Sequence, residues 1–278
     1  MNAPAPPSDG ELSLLLAAEQ AVEHGAELLR RGRRHVGALT AKGDRDFATA
    51  VDLQIERAIR RQLELMTPGI PMLGEEEGGA RGGGARWVLD PIDGTINYAH
   101  DSPLCAISLA LVDERGSRLG IVDLPVLGER YVSLAGRGAY RNRVPLCVAP
   151  IERLRDAVVG LADFAVGPGA EEENRVHVGI VRQLAGKSLR IRAHGSAALD
   201  LAWLAAGRLG ATVMLSNLPW DVGAGVLVAR EAGAAVYDQD GSPYGPDSRF
   251  TIASAPSLRE AMLTVVRNAL DEEAPCRG

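Results

Sequence analysis

The stretch WVLDPIDGTINYAH, residues 87–100, carries the pattern that decides the fold around it. Its first three residues are apolar and predict a buried strand that ends at Asp90. The next residue, a proline, stiffens the exit from the strand. Gly94 then permits a tight turn before a helix that begins at Thr95. The spacing therefore predicts that Asp90 and Asp93 lie close together beside the N-terminus of a helix.

This arrangement places two opposite electrostatic demands at one point. Two carboxylates held close together repel each other unless one takes up a proton or a cation lies between them. The N-terminus of the helix offers free N–H groups to an anion. A divalent cation together with a phosphate group would satisfy both demands, so the stretch predicts a site for both.

Two further acidic residues stand at the ends of predicted elements. Glu75 lies in the segment GEEE, directly after the short apolar run Ile70–Leu73, and Asp221 lies in the first turn of a helix that begins at Pro219. Each has an ordinary explanation on its own, because acidic loops are usually solvated and an Asp in a first turn suits the helix dipole. The segment DPIDGT alone could also be a simple turn. The occurrence of all three, in this order, favours a functional carboxylate cluster.

The order of the predicted elements indicates a layered α/β protein. Helices over Glu11–Gly32 and Thr49–Met66 come first, a run of strands follows, and beyond about residue 150 strands alternate with helices. One of the later helices has Ser196 as its expected N-cap. The expected divisions are a disordered leader over residues 1–9, an N-terminal α+β region over 10–148 with most of the metal ligands, a C-terminal α/β region over 149–270 and a tail over 271–278, together one catalytic unit.

Composition excludes several classes of function. The chain has 278 residues, of which 46% are apolar, and a net charge of −6. Nucleic-acid binding depends on Lys and Arg that neutralise phosphates, so an acidic chain argues against it. No run approaches the roughly 20 apolar residues of a membrane span. The cysteines Cys105, Cys147 and Cys276 are odd in number and lack metal-ligand spacing, so we expect a cytoplasmic protein without disulfides.

Together these segments resemble the inositol monophosphatase family, a branch of the Mg²⁺-dependent, lithium-sensitive phosphatases. The family pattern has a Lys followed by D-x-x-T-x-x-D, then GEE, DPIDGT(T)N, G-[ST]-A-A and WD-x-x-AG. The resemblance implies the family's αβαβα sandwich and a homodimer. The matching positions are Lys42 with Asp46, Thr49 and Asp52; Gly74 to Glu76; Asp90 to Asn97; Gly195 to Ala198; and Trp220 to Gly225.

The resemblance implies hydrolysis of a small phosphate monoester with two to three Mg²⁺ ions, for which Mn²⁺ is a possible substitute. A ligand set made only of oxygen atoms, without His or Cys, agrees with these hard cations. Asp90 would bridge two of the ions. The implied metal ligands are Glu75, Asp90, the main-chain carbonyl of Ile92, Asp93 and Asp221.

The resemblance also implies how the reaction would proceed. Thr95 would hold the attacking water, Glu75 would accept the proton of that water, and Asp52 would orient Thr95. Without the family match, Thr95 and Asp52 are a helix cap and a helix-surface acid, and Lys42 is as readily a solvated loop residue as a group near the phosphate. The implied substrate contacts are Asp93, Gly94, Thr95, Gly195, Ser196, Ala197 and Asp221.

One departure from the family concerns the substrate. Inositol-specific members usually carry a Glu seven residues before the aspartate of the WD motif, and this chain has Met214 there. A thioether cannot accept hydrogen bonds from inositol hydroxyls in the same way. Inositol 1-phosphate is the expected substrate, and a sugar phosphate, histidinol phosphate or nucleotide 3′-phosphate is the alternative. A regulatory protein without turnover is a further alternative, which the retained carboxylates disfavour.

Overall fold

The structure is a computed structural model that describes residues 6–33, 40–41, 47–79 and 82–273. Helices and sheets stack in the predicted order αβαβα. None of the helices in these ranges has the length and apolar character needed to cross a bilayer. The helices are α1 (Asp9–Gly32), α2 (Ala50–Met66), α3 (Thr95–Ala99), α4 (Ala170–Ala185), α5 (Ala197–Ala205), α6 (Pro219–Glu231) and α7 (Arg259–Glu273).

The first sheet carries the DPID segment. A separate pair, β1 (Thr40–Ala41) and β2 (Phe47–Ala48), precedes it. The strands of the first sheet are β3 (Met72–Gly74), β4 (Gly78–Gly79), β5 (Arg86–Asp93), β6 (Ala106–Asp113), β7 (Gly116–Leu124), β8 (Glu129–Leu134), β9 (Ala139–Arg141) and β10 (Val144–Pro145). The eight strands lie in the order β10-β9-β8-β7-β6-β5-β3-β4, and all neighbours are antiparallel except β3 and β5. The two strands that end at predicted ligands are therefore parallel neighbours, and their ends meet at one edge of the sheet.

The second sheet supports the later part of the chain. Its strands are β11 (Val158–Leu161), β12 (Arg190–Ala193), β13 (Ala211–Met214), β14 (Ala235–Tyr237) and β15 (Thr251–Ser254). The five strands lie in the order β12-β11-β13-β15-β14. Strands β12, β11 and β13 are parallel, and β15 is antiparallel to both of its neighbours. The parallel strands send the loops that follow them toward the first sheet's ligand-bearing edge.

Apolar side chains join the layers. Helices α1 and α2 pack on one face of the first sheet, for example through Ile55 and Ile107. Helices α5 and α6 lie between the sheets, and Ala198 and Ala224 are among the small residues on the first-sheet side. Helices α4 and α7 cover the outer face of the second sheet. The N-termini of α5 and α6 thus lie in the middle layer, next to the end of β5.

Two helices extend across the expected divisions of the chain. The leader was expected to run to residue 9, but α1 begins at Asp9 because Ser8 and Glu11 form a capping box. The tail was expected from residue 271, but α7 continues to Glu273. Residues 1–5 and 274–278 lie outside the described ranges. Cys105 and Cys147 are free thiols, and Cys276 falls in the undescribed C-terminal residues.

Candidate active site

A bulge in β5 brings Asp90 and Asp93 to the same face of the first sheet. Asp90 pairs with Ser108 and Asp93 with Ala106, so β5 has one extra residue between the two pairs. In a regular strand, residues three apart point to opposite faces, and the extra residue of a bulge reverses this. Pro91, which has no N–H for the ladder, lies within the bulge. The strand was predicted to end at Asp90; it continues through the bulge to Asp93.

Asp90 is the buried centre of a group of carboxylates. Its side chain is almost entirely inaccessible to solvent. Burial raises the pKa of Asp90 well above its usual value, and the charges of Glu75, Asp93 and Asp221 raise it further. Asp90 also shares a hydrogen bond with Glu75, which also raises its pKa. The structure therefore brings the four predicted acidic residues into one neighbourhood.

The donor set of this neighbourhood fits a hard divalent cation. It consists of carboxylate oxygens around the buried Asp90, whose pKa is raised by burial and by the charges of Glu75, Asp93 and Asp221. Within the described ranges no three His, Cys, Asp or Glu side chains already converge at ligating spacing. The carboxylates would therefore have to rotate inward around an ion. The carbonyl of Ile92 lies between the two aspartates of β5 in sequence and accepts a hydrogen bond from Thr95 (3.0 Å).

Asp93 connects the carboxylate group to the N-terminus of α5. It accepts hydrogen bonds from the Ser196 hydroxyl (2.5 Å) and from the N–H groups of Ala198 (2.7 Å) and Ala197 (3.3 Å). Burial raises the pKa of Asp93 to about 7, although these hydrogen bonds act in the opposite direction. Ser196 is the predicted N-cap, and its hydroxyl accepts the N–H of Leu199 (3.3 Å). Ser196 and Ala197, both predicted substrate contacts, thus lie against Asp93.

Thr95 and Asp52 meet although they are far apart in sequence. The Thr95 hydroxyl lies 3.2 Å from Oδ1 of Asp52 and 3.0 Å from the carbonyl of Ile92. A hydroxyl has one proton, so donation to either acceptor leaves the Thr95 oxygen able to accept a hydrogen bond from a water. Asp52 also forms the capping box of α2, since its Oδ2 accepts the N–H of Thr49 (2.8 Å). Asp52 therefore caps a helix and contacts Thr95 at once.

Gly94 is required by its conformation and by its surroundings. It has a φ of +88°, which favours glycine. A Cβ at this position would lie 2.9 Å from the carbonyl oxygens of both Gly195 and Leu104. The tight turn before α3 therefore allows the Gly195 loop to approach the start of α3, where the main-chain N–H groups of Gly94 and Thr95 are expected to contact phosphate.

Sequence reasoning missed Glu56, which supports the turn that carries Glu75. Glu56 is fully buried, and its carboxylate accepts the N–H groups of Glu76 (2.9 Å) and Glu77 (3.1 Å). Arg60 donates to the same carboxylate (2.6 Å). A Cβ at Gly74 would lie 2.1 Å from Oε1 of Glu56, so only glycine fits beside it. Side chains of α2 therefore fix the position of the turn that carries Glu75.

A signal for Glu56 was present in the sequence. Glu56 follows Asp52 by four residues, so both lie on the same face of α2, one turn apart. An acidic residue at that position of an apolar helix face has to find partners in the interior. Its partner Arg60 lies one turn further along the same helix, but the N–H groups of Glu76 and Glu77 are 20 and 21 residues away and could not be read from the spacing.

Asn97 was also missed, and it fixes the loop before α5. Its Nδ2 donates to the carbonyls of Leu104 (2.8 Å), His194 (2.6 Å) and Gly195 (3.3 Å). On the other side of that loop, Nδ1 of His194 lies 2.5 Å from Oδ1 of the buried Asp200. Gly195 is therefore held between α3 and α5 by side chains of both helices.

Two other positions singled out in the sequence remain. Met214 stands where inositol-specific members usually carry Glu; its side chain is 1% exposed and packs with Leu201 and Val226, because the end of β13 is covered by α5 and α6. Lys42 and its neighbour Asp46, the remaining matched positions, lie outside the described ranges.

Cavity size does not identify the site. A separate cavity of about 710 Å³ lies between α1 and the β7–β8 hairpin. Its charged residues are largely paired with one another: Arg130 contacts Asp123 (2.7 Å) and Glu23 (2.7 Å). The carboxylate group around Asp90 is distinguished instead by a buried acidic centre, whose pKa is raised by burial and by the charges of its acidic neighbours.

Comparison with known proteins agrees with this geometry. The chain matches the model of the inositol monophosphatase family over residues 11–271. It is 37% identical to "Inositol-1-monophosphatase ImpA" of Mycolicibacterium smegmatis, with 92% of each chain covered, and 37% identical to "Probable inositol 1-monophosphatase ImpA" of Mycobacterium tuberculosis, with 91% and 93% covered. A solved IMPase structure from Thermotoga maritima superposes with a TM-score of 0.84 at 28% identity, covering 92% of this chain and 98% of that one. This family is metal-dependent. The chain belongs to the inositol monophosphatase family and is a phosphoric monoester hydrolase.

Proposed function

We propose that this enzyme hydrolyses a small phosphate monoester in a Mg²⁺-dependent reaction, with inositol 1-phosphate as its substrate. The observation that carries the proposal is the buried Asp90, with three more carboxylates around it and the Thr95–Asp52 pair beside it. Two to three Mg²⁺ ions, or Mn²⁺ in their place, would be held by Glu75, Asp90, the carbonyl of Ile92, Asp93 and Asp221.

The bound ions would neutralise the phosphate dianion and lower the pKa of a water. The protein's own groups supply the rest. The Thr95 hydroxyl, which donates to Asp52 or to Ile92, accepts a hydrogen bond from the attacking water and so fixes its position. Glu75 then accepts the proton of that water. Asp52 is a positioning residue, because it orients Thr95 without reaching the substrate.

The substrate would bind between the two helix starts. The N–H groups of Gly94 and Thr95 would contact phosphate oxygens, as free N–H groups at a helix start favour anions. On the other side, Gly195, Ser196 and Ala197 would contact the leaving group. Ser196 and Ala197 are within hydrogen-bond distance of Asp93, so the two halves of the site are joined directly. Asp93 and Asp221 would contribute polar contacts from their metal-binding positions.

The choice of inositol 1-phosphate rests on the names of the mycobacterial relatives. A sugar phosphate, histidinol phosphate or nucleotide 3′-phosphate is the second candidate, and the buried Met214 favours it because no hydrogen-bond acceptor stands at that position. We also propose a homodimer and a cytoplasmic location; the family resemblance supports the first, and two free cysteines agree with a reducing compartment for the second.

A panel of phosphate monoesters tests the proposal. Purified enzyme with Mg²⁺ is expected to release phosphate from inositol 1-phosphate at a kcat/KM within about tenfold of the best substrate. The control is Asp90→Asn protein purified in parallel, which reports any contaminating phosphatase. Preference for another monoester by about a hundredfold or more would shift the assignment to that substrate, and release of no phosphate from any of them would contradict the proposed hydrolysis.

A further inference from the structure

A carboxylate at the end of β11 lies beside the loop that is proposed to contact the leaving group. Asp163 follows β11 by two residues and is solvent-exposed. A Cβ placed on Gly195 would lie 3.1 Å from Oδ2 of Asp163. The carboxylate therefore stands directly against the main chain of Gly195, on the side of the loop that also faces Asn97, whose Nδ2 would lie 2.9 Å from the same Cβ.

Asp163 differs from the other carboxylates around this loop in having no partner. Asp93 receives hydrogen bonds from Ser196 and Ala198, and Asp200 from His194. Among the residues that the structure describes, Asp163 has neither a hydrogen bond nor a salt bridge. Its charge nevertheless acts on its neighbours: it adds to the burial that raises the pKa of Asp200, and it opposes the burial that lowers the pKa of His177. An exposed, unpaired acceptor of this kind is available to a ligand.

We propose that Asp163 is a specificity-determining residue, whose carboxylate accepts hydrogen bonds from hydroxyl groups of the leaving alcohol. The inference rests on the proposed function, since it is the phosphatase reaction that places a leaving group beside Gly195. Ionised Asp is an acceptor only, and its hydrogen bonds to hydroxyl donors are stronger than those between neutral groups. With Met214 buried, the acceptor comes from the end of β11 rather than from β13.

The same charge discriminates against a second class of substrate. A leaving group that carries another phosphate would bring a dianion toward Asp163, and like charges at such a distance repel. The enzyme is therefore expected to favour polyhydroxylated monophosphates over bisphosphates, which is a substrate class chosen by both attraction and repulsion.

The test uses Asp163→Asn, which keeps the shape of the side chain but removes its charge. Three substrates are compared by kcat/KM with saturating Mg²⁺: inositol 1-phosphate, p-nitrophenyl phosphate, which lacks hydroxyl groups, and fructose 1,6-bisphosphate. The variant is expected to lose roughly five- to tenfold with inositol 1-phosphate, mostly through KM, as the loss of one hydrogen bond predicts. It should stay within about twofold of wild type with p-nitrophenyl phosphate and gain several-fold with the bisphosphate.

The matched control is Asp271→Asn, which removes an exposed carboxylate from α7 and should change none of the three values. Ratios between substrates that are unchanged in Asp163→Asn would overturn the role of Asp163 while leaving the proposed function intact. An equal loss with all three substrates would indicate a structural role and would overturn it too. Wild-type protein that hydrolyses none of them would contradict the proposed function, and the inference would fall with it.

Discussion

The two ends of the proposed active site are built in different ways. At the metal end, Asp90 and Asp93 are 2% and 8% exposed, and their positions are fixed by a bulge and by the start of α5. At the leaving-group end, Asp163 is exposed and unpaired among the described residues, while Met214 is buried in the core. The difference suggests that buried side chains, which hold one another in position, determine the chemical step. Exposed side chains, which few neighbours constrain, would determine which substrate is accepted.

The largest expected effect comes from the centre of the metal end. Asp90→Asn is expected to lower kcat/KM with Mg²⁺ by more than about 100-fold, since even residues that only support ligands cost roughly 10–100-fold. The metal-free variant should unfold at a temperature no lower than wild type, because it replaces a buried carboxyl whose pKa is raised. Phosphate release measures the loss of activity, and thermal unfolding in EDTA measures the stability of the metal-free variant. A folded variant that keeps a tenth or more of wild-type activity would contradict the central role of Asp90 at the metal end.

Thr95 should affect the rate more than the binding of substrate. Thr95→Ala is expected to lower kcat roughly 100-fold and to leave KM within about threefold, because the hydroxyl positions the water and only the main chain contacts the substrate. Thr95→Ser keeps the hydroxyl and should retain most of the activity. Steady-state kinetics on both variants decide the matter. A raised KM with unchanged kcat would make Thr95 a substrate-binding residue. It would contradict the claim that the metal end controls the chemical step alone.

Substitution of Glu56 tests whether the position of Glu75 depends on the hydrogen bonds that Glu56 accepts from the turn. Glu56→Gln places an amide against the N–H groups of Glu76 and Glu77 and should displace Glu75. The apparent affinity for Mg²⁺ is expected to weaken roughly 10–100-fold. It is measured by Mg²⁺ titration of activity and by the rise in melting temperature that Mg²⁺ causes. Glu64→Gln, an exposed change on the same helix, is the control, and equal affinities in the two variants would exclude the support role.

The smallest expected effect is a pH dependence of stability that arises at the metal end. Because the pKa of Asp93 is about 7 in the folded protein and 3.8 is its ordinary value, the folded state binds an extra proton between these pH values. The metal-free protein should therefore lose stability as pH rises through this window, by at most a few kcal/mol. Added Mg²⁺ should stabilise it more at pH 7.5 than at pH 5, since cations replace the protons.

Asp93→Asn is the matched variant for this measurement. In EDTA, the melting temperature of wild type minus that of Asp93→Asn should become more negative from pH 5 to pH 7.5. The difference between the variants removes the contribution of acids elsewhere, such as Asp123 and Asp200, whose pKa values are also raised by burial. A difference that does not change with pH would mean that Asp93 is not the group that titrates.

The metal end was largely readable from the sequence. Periodic apolar residues predicted α1 and α2 close to their observed bounds, and the apolar run before Asp90 predicted β5. These features depend on neighbours in sequence, such as caps, turns and helical spacing, so they can be read locally. The approach of Asp52 to Thr95 followed only from the family resemblance, because 43 residues separate them.

The features that were missed depend on pairing between distant segments. The bulge is defined by the register of β5 against β6, and strands as short as β4 and β10 exist only because a neighbour pairs with them. The same holds at the leaving-group end. Asp163 and Gly195 are brought together by the parallel strands β11 and β12, and Met214 is buried by helices that come before and after it in sequence. No local pattern specifies such contacts.

The most direct test of the central claim is phosphate release from inositol 1-phosphate by protein stripped with EDTA, before and after Mg²⁺ is added back. If the carboxylates around Asp90 hold the catalytic ions, activity should fall to the level of Asp90→Asn protein in EDTA and return with excess Mg²⁺ or Mn²⁺. Burial raises the pKa values of Asp90 and Asp93, and a bound cation would favour their charged forms at neutral pH. Full activity of the stripped, EDTA-treated enzyme would contradict the account.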